Sequence, residues 1–263
     1  MDLAALAGRD LGTHRISYDD RDVMLYALAT GATADQLDLV FERDLRVLPT
    51  FALTLGVWAA DEPRRLGAYE SAAALHGAQT LSVHEPLPPA GEIDLAGRVA
   101  GVWDKGTGAV VDVVAECEYF TATYALFIRG HGGWGGERGP AGPPIPPGEE
   151  LLGRCRTTTE QAALYRLTGD RHHIHIDPEA ARGAGLGRPV LHGLCTLGLA
   201  ARELATSAGA HPCDLRELHA RFAYPVWPGD TFELRGGVDD GGLSFEATVS
   251  GKAVLTSGIA RFS

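Results

Sequence analysis

The chain has 263 residues, 45% of them hydrophobic and 22% charged, with a formal net charge of −11. This composition excludes wholesale disorder and fibrous repeats, and it leaves room for one large core or two cores of about 100–150 residues each. The acidic balance argues against a general nucleic-acid or anionic-membrane binder, and the apolar runs fall short of the roughly 18 residues that a membrane span needs.

The opening MDLAALAGRDLG carries Asp2 and Asp10 and no basic run, so no signal peptide is expected. Ser17-Tyr18-Asp19-Asp20 precedes Val23, Leu25, Tyr26 and Leu28, a pattern that predicts an N-cap and a short helix. Residues 110–117 (VVDVVAEC) read as a strand. Residues 130–148 (GHGGWGGERGPAGPPIPPG) are dominated by glycine and proline and cannot build a core. They read as a surface linker dividing the chain into 1–129 and 149–263. Thr157-Thr158-Thr159-Glu160 predicts a second N-cap, before Ala163, Leu164 and Leu167. A longer apolar helix is expected over 191–205 (LHGLCTLGLAARELA), with small residues allowing close packing, and Phe232-Glu233-Leu234 reads as strand. Helices with antiparallel strands make an α+β arrangement. The scattered Cys117, Cys155, Cys195 and Cys213 form no CxxC pair, which points to reduced thiols and a cytoplasmic setting.

The two pieces resemble each other. Leu25-Tyr26-Ala27-Leu28 echoes Leu164-Tyr165-Arg166-Leu167, and Val47-Leu48-Pro49 echoes Val190-Leu191-His192. Leu75-His76 echoes Leu218-His219, and Pro86-Leu87-Pro88 echoes Pro225-Val226-Trp227-Pro228. The offsets are 139, 143, 143 and 139 residues. Four matches in one order at a near-constant offset predict an internal duplication.

The richest chemistry lies in residues 165–178 (YRLTGDRHHIHIDP), where His172, His173 and His175 stand between Asp170 and Asp177. Gly169 and Pro178 bracket a loop. A carboxylate and an imidazole five residues apart on a turn can face one cavity and do acid–base work near neutral pH. A metal is a weaker reading, because the spacing is not HExxH and the adjacent His172 and His173 cannot easily share an ion. A merely solvated His-rich loop is the bland alternative. Asp177 before Pro178 is expected to be a helix N-cap rather than a catalytic group.

This segment resembles the signature of the MaoC-like, type 2 (R-specific) enoyl-CoA hydratases, carried here by Tyr165, Leu167, Thr168, Gly169-Asp170, Ile174 and His175. The resemblance extends through 187–196 (GRPVLHGLCT), 220–230 (ARFAYPVWPGD), 47–51 (VLPTF), 75–77 (LHG) and 104–108 (DKGTG). These segments are similar to the hydratase part of the peroxisomal multifunctional enzymes of type 2. The resemblance implies a double hot-dog fold: two antiparallel sheets, each wrapped around a long central helix. It implies a catalytic C-terminal repeat (149–263) and an N-terminal repeat (1–129) that has lost catalysis and holds the acyl chain. Aligning the repeats puts Gly31 opposite Asp170, so the first copy has no carboxylate there.

The implied reaction is the reversible hydration of trans-2-enoyl-CoA to (3R)-3-hydroxyacyl-CoA. Asp170 and His175 would act as acid and base, and Gly193 would offer its N–H to the thioester oxygen. His172 stands where the family has Asn, in a His-His pair that replaces Asn-Pro. His76, Gly77, Lys105 and Phe222 match acyl-CoA-contacting positions. No cofactor and no metal are expected, coenzyme A being part of the substrate. The expected partners are an acyl-CoA thioester and a second copy of the chain in a homodimer, with no nucleic acid and no membrane. A hot-dog thioesterase and a non-catalytic acyl-binding subunit are the rival readings.

Overall fold

The computed structural model describes residues 3–140, 142, 149–239 and 242–263. Ten strands among the described residues form one antiparallel sheet. Those before the Gly/Pro-rich stretch are β1 (Asp10–Tyr18), β2 (Ala74–Val83), β3 (Gly91–Asp104), β4 (Gly108–Glu116) and β5 (Phe120–Arg129). Those after it are β6 (Glu150–Arg156), β7 (Leu215–Phe222), β8 (Thr231–Asp239), β9 (Gly242–Val249) and β10 (Lys252–Phe262). The strand order is β1-β3-β4-β5-β2-β7-β10-β9-β8-β6. Read outward from the β2–β7 seam, the two halves have the same order, which is the duplication in three dimensions. The seam pairs Ala78 with Arg221 and Ser82 with Glu217. It covers an edge of each five-stranded half that would otherwise be open to other chains. The chain is thus the α+β double hot-dog that the resemblance implies.

Strand sequences follow the two-residue period. In β5, Phe120, Ala122, Tyr124, Leu126 and Ile128 face the core while their neighbours are more exposed. Helix α1 (Asp20–Ala29) starts as expected: Asp19 and Asp22 form a reciprocal capping box. The next helix, α2 (Leu37–Val40), is a single turn.

The central helices of the two repeats differ. In the second repeat α7 (Gly193–Ser207) is unbroken, and α1 packs closely on it at Gly198, where a Cβ would lie 2.8 Å from Thr30 Cγ2. In the first repeat the expected long helix is divided. A 3-10 turn at Pro49–Phe51 leads into α3 (Ala52–Leu55), and α4 (Val57–Arg65) follows Gly56. A Cβ on Gly56 would come within 2.4 Å of Tyr124 Oη and 3.1 Å of Ala115 Cβ, so the helix can press on the sheet only through glycine. Pro63 then removes an amide inside α4.

Two further expectations are corrected. The helix α5 (Gln161–Tyr165) is not capped by a threonine: Glu160 is its N-cap and makes no side-chain cap bond. The Thr157 hydroxyl instead donates to Asp230 O at 2.8 Å and accepts from Gly229 N at 2.9 Å, tying β6 to the β7–β8 turn. The start of the glycine-rich stretch is also not a loose tether. The Asp104 carboxylate accepts N–H groups from Gly106, Gly133 and Gly135, and these bonds pull the acid down to about 2. That pins the segment to the β3–β4 hairpin. Residues 141 and 143–148 lie outside the described residues.

Candidate active site

The loop from α5 to α6 (Pro178–Gly183) carries the acid–base candidates. Gly169 opens it at φ 147°, a conformation that a side chain would strain. The Asp170 carboxylate accepts the His172 amide at 3.0 Å, and a 3-10 turn at His173–His175 then brings His175 back toward it. Asp177 caps α6 by accepting from Glu179 N at 2.8 Å, as expected. His175 Nδ1 lies 2.8 Å from the Val190 carbonyl. A carbonyl can only accept, so Nδ1 carries the proton and Nε2 keeps a lone pair. That Nε2 stands 4.0 Å from Asp170 Oδ2, too far for a direct bond and right for one water bridging both. The His175 side chain is only 11% exposed, and burial keeps the imidazole below its ordinary value, against the pull of Asp170.

His192 completes the cluster. It is 2% exposed, its ring stacks on His175 with centroids 3.7 Å apart and planes 22° apart, and its Nε2 lies 3.1 Å from the Asp170 carbonyl. Asp170, His175 and His192 together put three donor atoms within 4.8 Å of one another. The near-parallel rings, however, aim their lone pairs side by side rather than at one centre, a poor arrangement for a tetrahedral ion.

Gly193 is the first residue of α7, where backbone N–H groups lack intrahelical partners and favour negative charge. The Phe222 ring covers it: a Cβ on Gly193 would lie 3.0 Å from Phe222 Cε1. His76 reaches the same place from the first repeat, its ring 4.7 Å from Phe222. Burial pushes His76 down to about 4, opposed in part by the Asp170 charge. Gly77 follows it at a bulge in the β2–β5 pairing, where a Cβ would stand 3.3 Å from Ala125 O.

Asp170, His175, Gly193, Phe222, His76 and Gly77 are therefore brought together. His172 and Lys105 stand apart. His172 is exposed, its Nδ1 accepts from Ile174 N at 3.3 Å, and its ring centroid is 6.2 Å from that of His175. Lys105 lies at the β3–β4 turn, its ammonium bonded to the Arg138 carbonyl.

A cleft of about 470 Å³ in the first repeat is lined by Leu55, Trp58, Ile16 and Phe51, by the charged Arg15, Asp22, Asp61 and Arg65, and by Thr168 and Gly169, which precede Asp170 in the chain. That is a ligand-sized volume. Gly31, opposite Asp170 in the alignment, opens no such space: a Cβ there would lie 2.9 Å from Leu199 Cδ2.

Residues 145–257 match the MaoC like domain, and residues 16–130 match the MFE-2 hydratase 2 N-terminal domain. The chain belongs to the MaoC-like hydratase 2 family. It is 38% identical over 234 residues to 3-hydroxyacyl-thioester dehydratase Y of Mycobacterium tuberculosis, covering 81% of this chain and 80% of that one. It is 32% identical to the enoyl-CoA hydratase ChsH3 of the same organism, covering 98% of each. Among solved structures, a MaoC-like dehydratase from Phytophthora capsici superposes with a TM-score of 0.87 at 26% identity, over 100% of this chain and 98% of that one.

Two parts of this MaoC-like site escape the sequence reading. His192 was visible only as a repeat match and a helix opener. Its signal is that it stands where the first repeat has Pro49, an imidazole present in one copy only. The cleft had no signal, because β1, the divided helix and Thr168–Gly169 are far apart in the chain.

Proposed function

We propose that this chain is a hydro-lyase that adds water reversibly to trans-2-enoyl-CoA, giving (3R)-3-hydroxyacyl-CoA. The observation that carries the reading is the 4.0 Å gap between the His175 lone pair and the Asp170 carboxylate. A water held there is activated for attack at C3. As its oxygen bonds to C3, the C2–C3 double-bond electrons move toward the thioester and charge gathers on its oxygen. The Gly193 N–H, at the positive end of α7, stabilises that oxygen; a preorganised donor of this kind contributes about 3 kcal/mol. The pair takes one proton from water and returns one to C2, so its net protonation is unchanged over a turnover.

The acyl chain lies along the cleft, while His76, Gly77 and Phe222 flank the thioester. Lys105 serves the phosphates of coenzyme A, and His172 takes the place of the family asparagine at the loop's outer side. In this reading 1–129 shapes the acyl pocket and 149–263 performs the chemistry, neither using a cofactor. The assembly is a homodimer. No helix among the described residues is long and apolar enough to cross a membrane. The four free cysteines suit a reducing compartment such as the cytoplasm.

Crotonyl-CoA tests the reaction. Loss of enoyl absorbance without release of free thiol is expected; release of thiol means a thioesterase, and no change means a binding protein. The R configuration is tested by adding an S-specific 3-hydroxyacyl-CoA dehydrogenase to the product. Prompt NADH formation contradicts it.

A further inference from the structure

His175 is held from two sides by one short segment. Val190, whose carbonyl takes the Nδ1 proton, and His192, whose ring supports the imidazole face, are two residues apart. That segment is itself laced down: Val190 N donates to Ile174 O at 3.2 Å, and Leu191 N donates to Val226 O at 2.8 Å. His192 also reaches the other member of the pair. Its Nε2 faces a carbonyl, so it must carry the proton, and it anchors the Asp170 backbone at 3.1 Å. The ring also packs at a tilt against Tyr165, centroids 4.9 Å and planes 47° apart. Its Nδ1 is buried with no hydrogen-bond partner. A buried acceptor left unpaired is destabilising, so this histidine is not what stability alone would choose. An aromatic carbon ring would stack as well without that cost, but it could not hold Asp170.

We propose that His192 is a positioning residue: one ring sets the separation of Asp170 and His175 by binding the backbone of the first and stacking on the second. The inference rests on the hydratase reading of that pair, yet it can fail by itself. Next to its neighbours the ring has no free donor to offer substrate. It works through the pair, so its loss slows turnover and leaves substrate binding intact. Misplacing reacting groups by about 1 Å costs about 100-fold in rate.

Two variants separate its two contacts. His192→Phe keeps the stack and loses the donor, whereas His192→Gln keeps a donor within reach of Asp170 and loses the stack. Both are expected to lower kcat on crotonyl-CoA by about 10–100-fold, with KM within about threefold of wild type. The ring nitrogens of His175, followed by long-range 1H–15N spectra, should lose the single Nδ1–H tautomer of the wild type. Unchanged kcat in both variants overturns the proposal, as does a loss confined to KM or an unaltered His175 spectrum. Should the Phe variant fail to fold, the Gln variant decides by the same readings. An inactive wild-type enzyme on every enoyl-CoA would instead sink the hydratase reading and leave the tautomer prediction standing.

Discussion

At the scale of single residues, reactivity comes from where two ordinary side chains are held. Asp170→Asn removes a charge, and His175→Ala removes the free Nε2 together with a largely buried ring. Both variants should fold and lose hydratase activity by about 10²–10⁴-fold, read as the initial rate of enoyl-CoA loss. Near-normal turnover in both would refute the assignment. Burial of imidazoles has a second consequence. Burial pushes His76 down to about 4 and holds His192 well down too, both below the value of about 6.5 in an unfolded chain. The unfolded chain therefore binds protons that the folded chain refuses. The stability contributed by these rings is complete above about pH 6.5 and is lost as the pH falls through 4. Melting temperature should be level above pH 6.5 and decline below it, less steeply in His76→Gln. A decline of equal slope in that variant would show that other groups govern acid unfolding.

At the scale of elements, the proposed division of labour rests on the contrast between the two central helices. The unbroken α7 begins at Gly193 and buries Leu194, Cys195, Leu197 and Ala201 behind it. Its counterpart, divided at Gly56, lines the cleft with Leu55 and Trp58 and donates nothing to the acid–base pair. Enlarging Leu55 to Trp should shorten the cleft without touching Asp170 or His175. The expected result is a kcat/KM for long-chain enoyl-CoA lowered by more than tenfold, with crotonyl-CoA little changed. An equal loss on both substrates would mean that the acyl chain takes another path.

At the scale of the whole molecule, the β2–β7 seam predicts that one repeat is not enough. Residues 149–263 contain Asp170, His175, His192 and Gly193, but Phe222 lies at the end of the strand that β2 covers. Without the first repeat, β7 is an open edge and α7 loses α1 at Gly198. His76 and the cleft are lost as well. The fragment 149–263 should be aggregation-prone and inactive toward long-chain enoyl-CoA, by light scattering and by the enoyl assay. A soluble fragment matching full-length turnover on long-chain and four-carbon substrates would reduce the first repeat to a scaffold.

The sequence by itself determined the duplication, the helix starts at Asp19 and Asp177, the apolar α7 and the His-rich loop. Each of these is written in local spacing: capping residues, period-2 or apolar runs, and matches at a near-constant offset. Asp170 and His175 were legible because five residues on a Gly-bounded turn are enough to bring them near each other. Only the tertiary structure decided the rest. Thr157 became a tie to Asp230 because the β7–β8 turn, distant in sequence, offered a better partner than the helix it precedes. The first central helix is divided at Gly56, where Tyr124 and Ala115 on the sheet leave no room for a side chain. His192 joined the site because Asp170, His175 and Tyr165 converge on it at the start of α7, and a histidine's role depends on which groups meet its two nitrogens and its faces. Those meetings are long-range packing, which no local pattern encodes.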